Sequence, residues 1–216
     1  MGLQSLTHLI GDYGRNKGDD PTMKYVVIVA HPNPDSFTQS VCHTAVQALE
    51  ASGHEVKLRD LYKIGFNPLL SVDDFKNSKS GEISEDVKTE QQHIAWADAL
   101  IVIYPLWWAS LPAILKGYVD RVFSYGFAYS MDGNGLQKLL SGKSAVLFTT
   151  MGNTEEHYNN VGMFEAMRKT VDEGIFDFVG IKVLEHKYLT SVTTVDNATR
   201  EQMLEEVKSV LAKQKM

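Results

Sequence analysis

Cysteine is almost missing from this chain of 216 residues: Cys42 stands alone, which excludes an internal disulfide framework and a zinc site built on paired cysteines, so no metal is expected. Cys42 falls in an expected helix, where a lone thiol reads as a small buried apolar group. No run approaches the ~20 apolar residues of a membrane span. No basic segment followed by an apolar stretch and a small-residue cleavage site opens the chain either, so a cytoplasmic protein without membrane insertion is expected. Basic charge is scarce as well. With 21 Lys and Arg against 27 Asp and Glu, the formal charge is 21 − 27 = −6, which argues against nucleic acid as the main partner, since phosphate backbones need a concentrated basic face. Internal repeats and low-complexity linkers are absent. So are the glycine-rich fingerprints G-x-G-x-x-G and Gly-Lys-Ser/Thr, neither of which follows the first strand.

A hydrophobic share of 44% with 22% charged residues suits one α/β domain that fills a core and solvates its surface. Residues 1–22, rich in Gly, Asp and Asn, read as a leader or appended extension without fixed structure, and residues 23–216 as the domain. Two periodicities alternate along it. Residues 24–30 (KYVVIVA) form an apolar, β-branched strand. The helix after it starts with capping-box spacing at Ser36 and Gln39 and stops at Gly53. Residues 55–61 alternate more strictly, as an edge strand does. Residues 62–81 are too long for a routine connection and read as an irregular functional loop. A helix over 84–97, a strand over 99–104 and a helix started by Pro112 follow. Next come a loop over 126–142, a strand over Ser144–Thr150, a loop over 151–160 and a helix over 163–173. A strand over 178–184 and a last helix begun by Asp196 or Asn197 complete the domain. Five strands separated by helices imply a doubly wound parallel sheet, and five fit the flavodoxin-like order 2-1-3-4-5 better than 3-2-1-4-5-6.

In that fold a ligand lies beyond the carboxyl ends of strands one, three and four. Strand one leads into His31-Pro32-Asn33-Pro34-Asp35-Ser36-Phe37-Thr38, a helix N-terminus with free amides and hydroxyls that suits a phosphate; taken alone, Ser36 serves equally as a helix cap. Strand three leads into Pro105-Leu106-Trp107-Trp108, an aromatic wall for a planar ring or, alternatively, a cover for the sheet edge and a subunit contact. Strand four leads into Thr149-Thr150-Met151-Gly152-Asn153, where Gly152 permits close backbone approach or merely turns the chain. A phosphate end, an aromatic wall and an amide-lined edge on three neighbouring strand ends are the parts of a flavin site.

The segments AHPNPDSF, DLY followed by FNP, ADALIVIYPLWWASLPAILKGYVDRVF, GFAY and TTMGN resemble the NAD(P)H:quinone oxidoreductases and their bacterial flavodoxin-like relatives. The resemblance implies a bound flavin that takes hydride from NAD(P)H and passes the electrons to a quinone or similar planar acceptor at the same place. It implies that His31, Ser36, Phe37, Thr38 and Ser40 contact the phosphate and ribityl side. Pro105, Leu106, Trp107 and Trp108 wall the ring, and Thr149, Thr150 and Gly152 meet its polar edge. Tyr158, offset by one residue from a family tyrosine beside the flavin, is the candidate catalytic residue. Trp108, Tyr129 and Met131 are the candidate acceptor contacts. Arg200 with Leu204 one turn later matches a pair that marks the adenosine end of FAD, so FAD is expected, with FMN as the alternative; without that match, Arg200 reads as a solvated surface charge paired with Glu201.

The chain also departs from the pattern: Met151 stands where the first of two glycines is usual, Met131 replaces a tyrosine, and no histidine occupies the relay position after Tyr158. Trp107, Trp108, Phe123, Tyr125, Phe127 and Tyr129 are more aromatics over a short span than one crevice needs, and a homodimer with the flavin near its boundary is expected. Two other readings of the same fold are a flavoprotein regulatory subunit of a potassium efflux system and a flavodoxin-type electron carrier. The modest charge and the wide aromatic loop disfavour the carrier.

Overall fold

A computed structural model of the chain describes residues 21–80 and 82–214. Up to residue 20, the expected leader lies outside the described residues. Five parallel strands form the central sheet: β1 (Lys24–Val29), β2 (Glu55–Asp60), β3 (Ala99–Pro105), β6 (Ser144–Thr150) and β7 (Lys182–Leu189). Between β3 and β6 the chain adds a separate antiparallel hairpin, β4 (Tyr129–Asp132) and β5 (Gly135–Lys138). The order is therefore β2-β1-β3-β6-β7, which corrects the expected 2-1-3-4-5. The sequence signal for the hairpin is Asp132-Gly133-Asn134-Gly135, a short turn in which Gly135 supplies the positive φ (+100°) that the loop needs.

Side-chain alternation divides the core into two layers. Tyr25, Val27, Val29, Ile101, Ile103, Val146 and Phe148 face α1 (Phe37–Ala51) and α7 (Asn197–Lys213). Cys42 is wholly buried in this layer, as expected. Val26, Ile28, Leu100, Val102, Tyr104 and Leu147 face α3 (Glu85–Trp96), α4 (Ala113–Val122) and the helical run after β6. That run is longer than the sequence suggested. The expected loop over 151–160 contains α5 (Glu155–Asn160), capped by Thr154, whose hydroxyl accepts from the His157 amide at 3.2 Å.

Then α6 (Met163–Met167) continues as a π-helical stretch, Arg168–Asp177, and the chain stays helical through Val179. It ends at Gly180, whose φ of +93° and the bonds Gly180 N→Asp177 O (3.0 Å) and Ile181 N→Phe176 O (2.9 Å) form a Schellman motif sealed by the buried pair Phe176 and Ile181. The last strand accordingly starts at Lys182 and not at Phe178.

The stretch over 62–81, expected to be irregular, carries α2 (Val72–Ser80). Its start is a reciprocal cap: Ser71 Oγ accepts from the Asp74 amide at 3.0 Å, and Asp74 Oδ2 accepts from the Ser71 amide at 2.8 Å. Phe66 is not part of an open loop but is buried against Tyr118, ring centroids 5.1 Å apart. The segment crosses α4 at Gly117, where a Cβ would lie 2.1 Å from the Pro68 carbonyl oxygen. Arg121 of α4 holds it there. Its guanidinium, 5% exposed, donates to the Asn67 carbonyl (2.7 Å), to Ser84 Oγ (3.1 Å) and to the carboxylates of Asp74 and Asp86. Among the described residues no helix is long and apolar enough to cross a membrane.

Burial raises the Asp74 and Asp86 carboxyls, but hydrogen bonds from Ser71 and Arg121 to the first, and from Arg121 and Ser84 to the second, outweigh it and hold both below the ordinary range. Arg121→Met strands both acids, and urea unfolding at neutral pH should show a loss of about 2–3 kcal/mol, discounted because Asp86 is partly exposed. A depressed native value stabilises above the unfolded value, near ~3.9, and the gain disappears as pH falls through the native one. The gap between wild type and variant should therefore close in acid; an unchanged midpoint at neutral pH argues against the clamp.

Candidate functional site

The connections leaving β1, β3 and β6 meet at a cavity of about 580 Å³. From the first come His31, Ser36, Phe37, Thr38 and Ser40; from the second, Pro105, Leu106 and Trp107; from the third, Thr150 and Gly152. Arg200, in the first turn of α7, completes the set of sequence candidates that share this space.

Ser36 is the N-cap of α1, its hydroxyl accepting from the Gln39 amide at 3.2 Å. The other half of the expected capping box is absent, because the Gln39 amide side chain donates instead to Asp60 at 2.9 Å. The amides of Phe37 and Thr38 precede the helix's own hydrogen bonds, and they lie beside the hydroxyls of Ser36, Thr38 and Ser40 at the positive end of the helix dipole. Thr38 Oγ1 lies 2.8 Å from Thr150 Oγ1 and ties α1 to the end of β6. Trp107 stands next to His31, ring centroids 5.6 Å apart. At Gly152 a Cβ would meet only Thr193 Oγ1, at 3.8 Å, so packing within this chain does not require its bare backbone, which leaves that face free for a ligand. Arg200 donates to the Val192 carbonyl at 3.0 and 3.2 Å and to Asn197 Oδ1 at 3.0 Å, not to Glu201.

The remaining candidates lie elsewhere. Trp108 is fully exposed, at the tip of a tight turn closed by Trp107 N→Ser110 O (3.2 Å) and Ser110 N→Trp107 O (3.0 Å). Thr149 follows the opposite face of the sheet from Thr150 and turns to His186, Nε2 to Oγ1 2.9 Å. Tyr158 is buried beneath the loop after β6, its hydroxyl accepting from the Asn153 amide at 3.2 Å. Leu204 packs into the α1 and α7 layer. On the hairpin, Tyr129 sits between Tyr125 and Phe178, while Met131 is exposed. Phe123, counted among the surplus aromatics, is buried against Phe176.

Asp35, Val192 and Thr193 line the cavity without having been singled out in the sequence. The last two come from the connection between β7 and α7, which carries no motif and reaches the site only through tertiary bonds. Among these are Val192 N→Met151 O (3.1 Å), Ser191 N→Asn153 O (2.8 Å) and Thr193 Oγ1→Gly152 O (3.4 Å).

Among the described residues, the non-glycine positions with positive φ are Trp108 (50°), Ala109 (60°) and Ser191 (58°). All three belong to connections that border the cavity, and such backbone costs of order 1–3 kcal/mol per residue. Cys42 offers no nucleophile: burial first, and the Asp60 charge second, push its thiol up to about 12. The site therefore combines an anion-binding helix start, an aromatic surface, an accessible backbone edge and one guanidinium, which fit the phosphate, ring and polar edge of a flavin.

The flavodoxin-like fold family model matches residues 23–211. A protein of Haemophilus influenzae named as an uncharacterised NAD(P)H oxidoreductase is 36% identical over 85% of this chain and 91% of its own. The ribosyldihydronicotinamide dehydrogenase [quinone] of Pongo abelii is 34% identical over 74% of this chain and 78% of its own. The solved NAD(P)H:quinone oxidoreductase of Methanothermobacter marburgensis superposes with a TM-score of 0.79 at 33% identity, covering 91% of this chain and all of that one. With its sheet order, its cavity at the strand ends and these relatives, the chain belongs to the flavodoxin-like family and, within it, to the NAD(P)H:quinone oxidoreductases.

Proposed function

We propose that this protein is a cytoplasmic, flavin-dependent NAD(P)H oxidoreductase that reduces a quinone or another planar acceptor. The observation that carries the reading is the meeting of the α1 N-terminus, Trp107, Gly152 and Arg200 on one cavity. A flavin bound there supplies two-electron transfer from the nicotinamide to the acceptor. The work of the chain is to bind and orient. Ser36, Thr38, Ser40 and the first amides of α1 hold phosphate, Phe37 and Trp107 exclude water from the ring, and Thr150 and the Gly152 backbone bond its polar edge. Tyr158 acts from beneath by fixing the Asn153 amide, and Thr149 from the opposite face of β6. No protein nucleophile is needed.

FAD is favoured over FMN, because Arg200 and the Val192–Thr193 backbone extend the cavity beyond what a first-loop phosphate pocket uses. Denaturation of the purified yellow protein should release FAD, identified by mass, and NAD(P)H oxidation should depend on added quinone. Arg200→Ala should weaken FAD about tenfold while leaving FMN binding unchanged, a loss typical of one charge-assisted contact. Release of FMN alone sinks the FAD assignment, and a colourless protein that takes up no flavin sinks the function.

Trp107→Ala should cost about 1–3 kcal/mol of flavin affinity, the area and stacking of one ring. An equal loss in Trp108→Ala with none in Trp107→Ala would reverse their roles.

The protein acts in this reading as a homodimer, since Trp108 is fully exposed and Tyr125, Met131 and Phe178 are 40%, 58% and 41% exposed. A second copy closing over the cavity gives Trp108, Tyr129 and Met131 their place as acceptor contacts. Sedimentation of the flavin-loaded protein at micromolar concentration should show a dimer; a monomer refutes this arrangement.

A further inference from the structure

Behind the strand end that carries Thr150 into the cavity lies a buried imidazole for which the proposed chemistry has no use. Successive residues of β6 point to opposite faces, so while Thr150 meets the cavity, the wholly buried Thr149 directs its hydroxyl at His186 Nε2, 2.9 Å away. The Tyr104 hydroxyl lies 3.4 Å from the same nitrogen. On the far side of the ring, Nδ1 is 2.7 Å from Asp172 Oδ1, and Tyr188 packs on its face with centroids 4.3 Å apart. The His186 side chain is only 4% exposed.

Each member comes from a different element: Thr149 from β6, His186 from the edge strand β7, and Asp172 from the π-helical stretch, a rare backbone form often met at functional sites. An ionised carboxylate accepts and does not donate. The ring therefore donates from Nδ1 to Asp172, and in the neutral imidazole this leaves Nε2 to accept from a hydroxyl, with Thr149 the nearer of the two beside it. A cavity of about 630 Å³ at the edge of the sheet is lined by His186 and Asp172, and it shares no lining residue with the first cavity. Arg168, which also borders it, is engaged by Glu165 and Glu173.

We infer that His186, oriented by Asp172, is a positioning residue for the flavin site. The pair pins Thr149 from behind and so holds the Thr149–Thr150 peptide, and the Met151–Gly152 backbone after it, in the orientation that presents Thr150 and Gly152 to the ligand. Without the imidazole the Thr149 and Tyr104 hydroxyls keep only each other as side-chain partners, and the one hydroxyl proton then left unpaired in the core is relieved by a turn of Thr149 or a shift of the strand end. The inference rests on the flavin reading of the cavity.

His186→Phe keeps the ring volume and the contact with Tyr188 but deletes both nitrogens, and Asp172→Asn keeps the shape but removes the charge. Titrated with flavin as apoproteins, His186→Phe should bind about tenfold more weakly than wild type, the size of effect seen when an orienting partner behind a primary contact is lost. Asp172→Asn should fall between the two, and the absorption bands of the bound flavin should shift in both. His186→Gly leaves a space next to the edge cavity; added imidazole should restore affinity there, and benzene, similar in size but without nitrogens, should not. Wild-type affinity and spectrum in both His186→Phe and Asp172→Asn overturn the inference, as does equal rescue by benzene, which would assign the pair to packing. If His186→Phe fails to fold, Asp172→Asn carries the comparison. Wild-type protein that takes up no flavin overturns the proposed function and this inference with it, whereas flavin bound alike by wild type and variants overturns the inference alone.

Discussion

Strand β3 is buried over its whole length and hydrogen-bonded to β1 on one side and β6 on the other, so helices can cover it only from its two faces. The helix after β1 packs on one face and the helix after β3 on the other. Their starting points diverge, and neither can fill the gap above the strand ends. A crevice is the geometric result of that switch in direction, and in this protein it opens beside the N-terminus of α1. Ser36, Thr38 and Trp107 enter the same space because β1 and β3 end close together: Val29 pairs with Ile103, Ala30 N bonds the Ile103 carbonyl at 3.1 Å, and β3 runs only to Pro105.

The floor of the crevice is set by a second group of contacts, between β6 and the chain that leaves β7. Met151 N→Leu189 O (2.8 Å) and Val192 N→Met151 O (3.1 Å) extend the strand pairing past the end of the sheet. This places the first turn of α7, and with it Arg200, against the glycine-containing loop. Backbone strain at Trp108, Ala109 and Ser191 is confined to the same neighbourhood. Many helix ends follow ordinary preferences: caps at Ser36, Thr154 and Asp196, and glycines at helix ends such as Gly53 and Gly180. Strain kept where ligands approach, over a relaxed scaffold, fits a preorganised site.

Much of this was legible in the sequence. The apolar runs of β1 and β3, the Ser144–Thr150 strand, the N-caps Ser36 and Asp196 and the stop at Gly53 are written in local patterns with a direct physical meaning. Two misread elements also had local signals: Ser71-x-x-Asp74 announces α2, and Asp132-Gly133-Asn134-Gly135 announces the hairpin. The start of β7 was less accessible. Phe178 and Val179 favour a strand by residue type, and only the packing of Phe176 and Ile181 around Gly180 keeps them helical.

The sequence by itself determined which residue types stand at the strand ends, and therefore that hydroxyls, an aromatic wall and a bare backbone would face one another. A strand's apolar run and a helix's cap depend on neighbours a few residues away, which is why those features could be read from it. What only the tertiary structure decided is which side chain of each adjacent pair turns inward. Trp107 borders the cavity and Trp108 does not; Thr150 faces the cavity and Thr149 faces His186. Those outcomes depend on the twist of a turn, on strand register and on partners such as His186 and Asp172, 37 and 23 residues along the chain from Thr149 (186 − 149 and 172 − 149). No local pattern encodes them, because the free energy that settles each choice lies in contacts that exist only once the sheet is assembled.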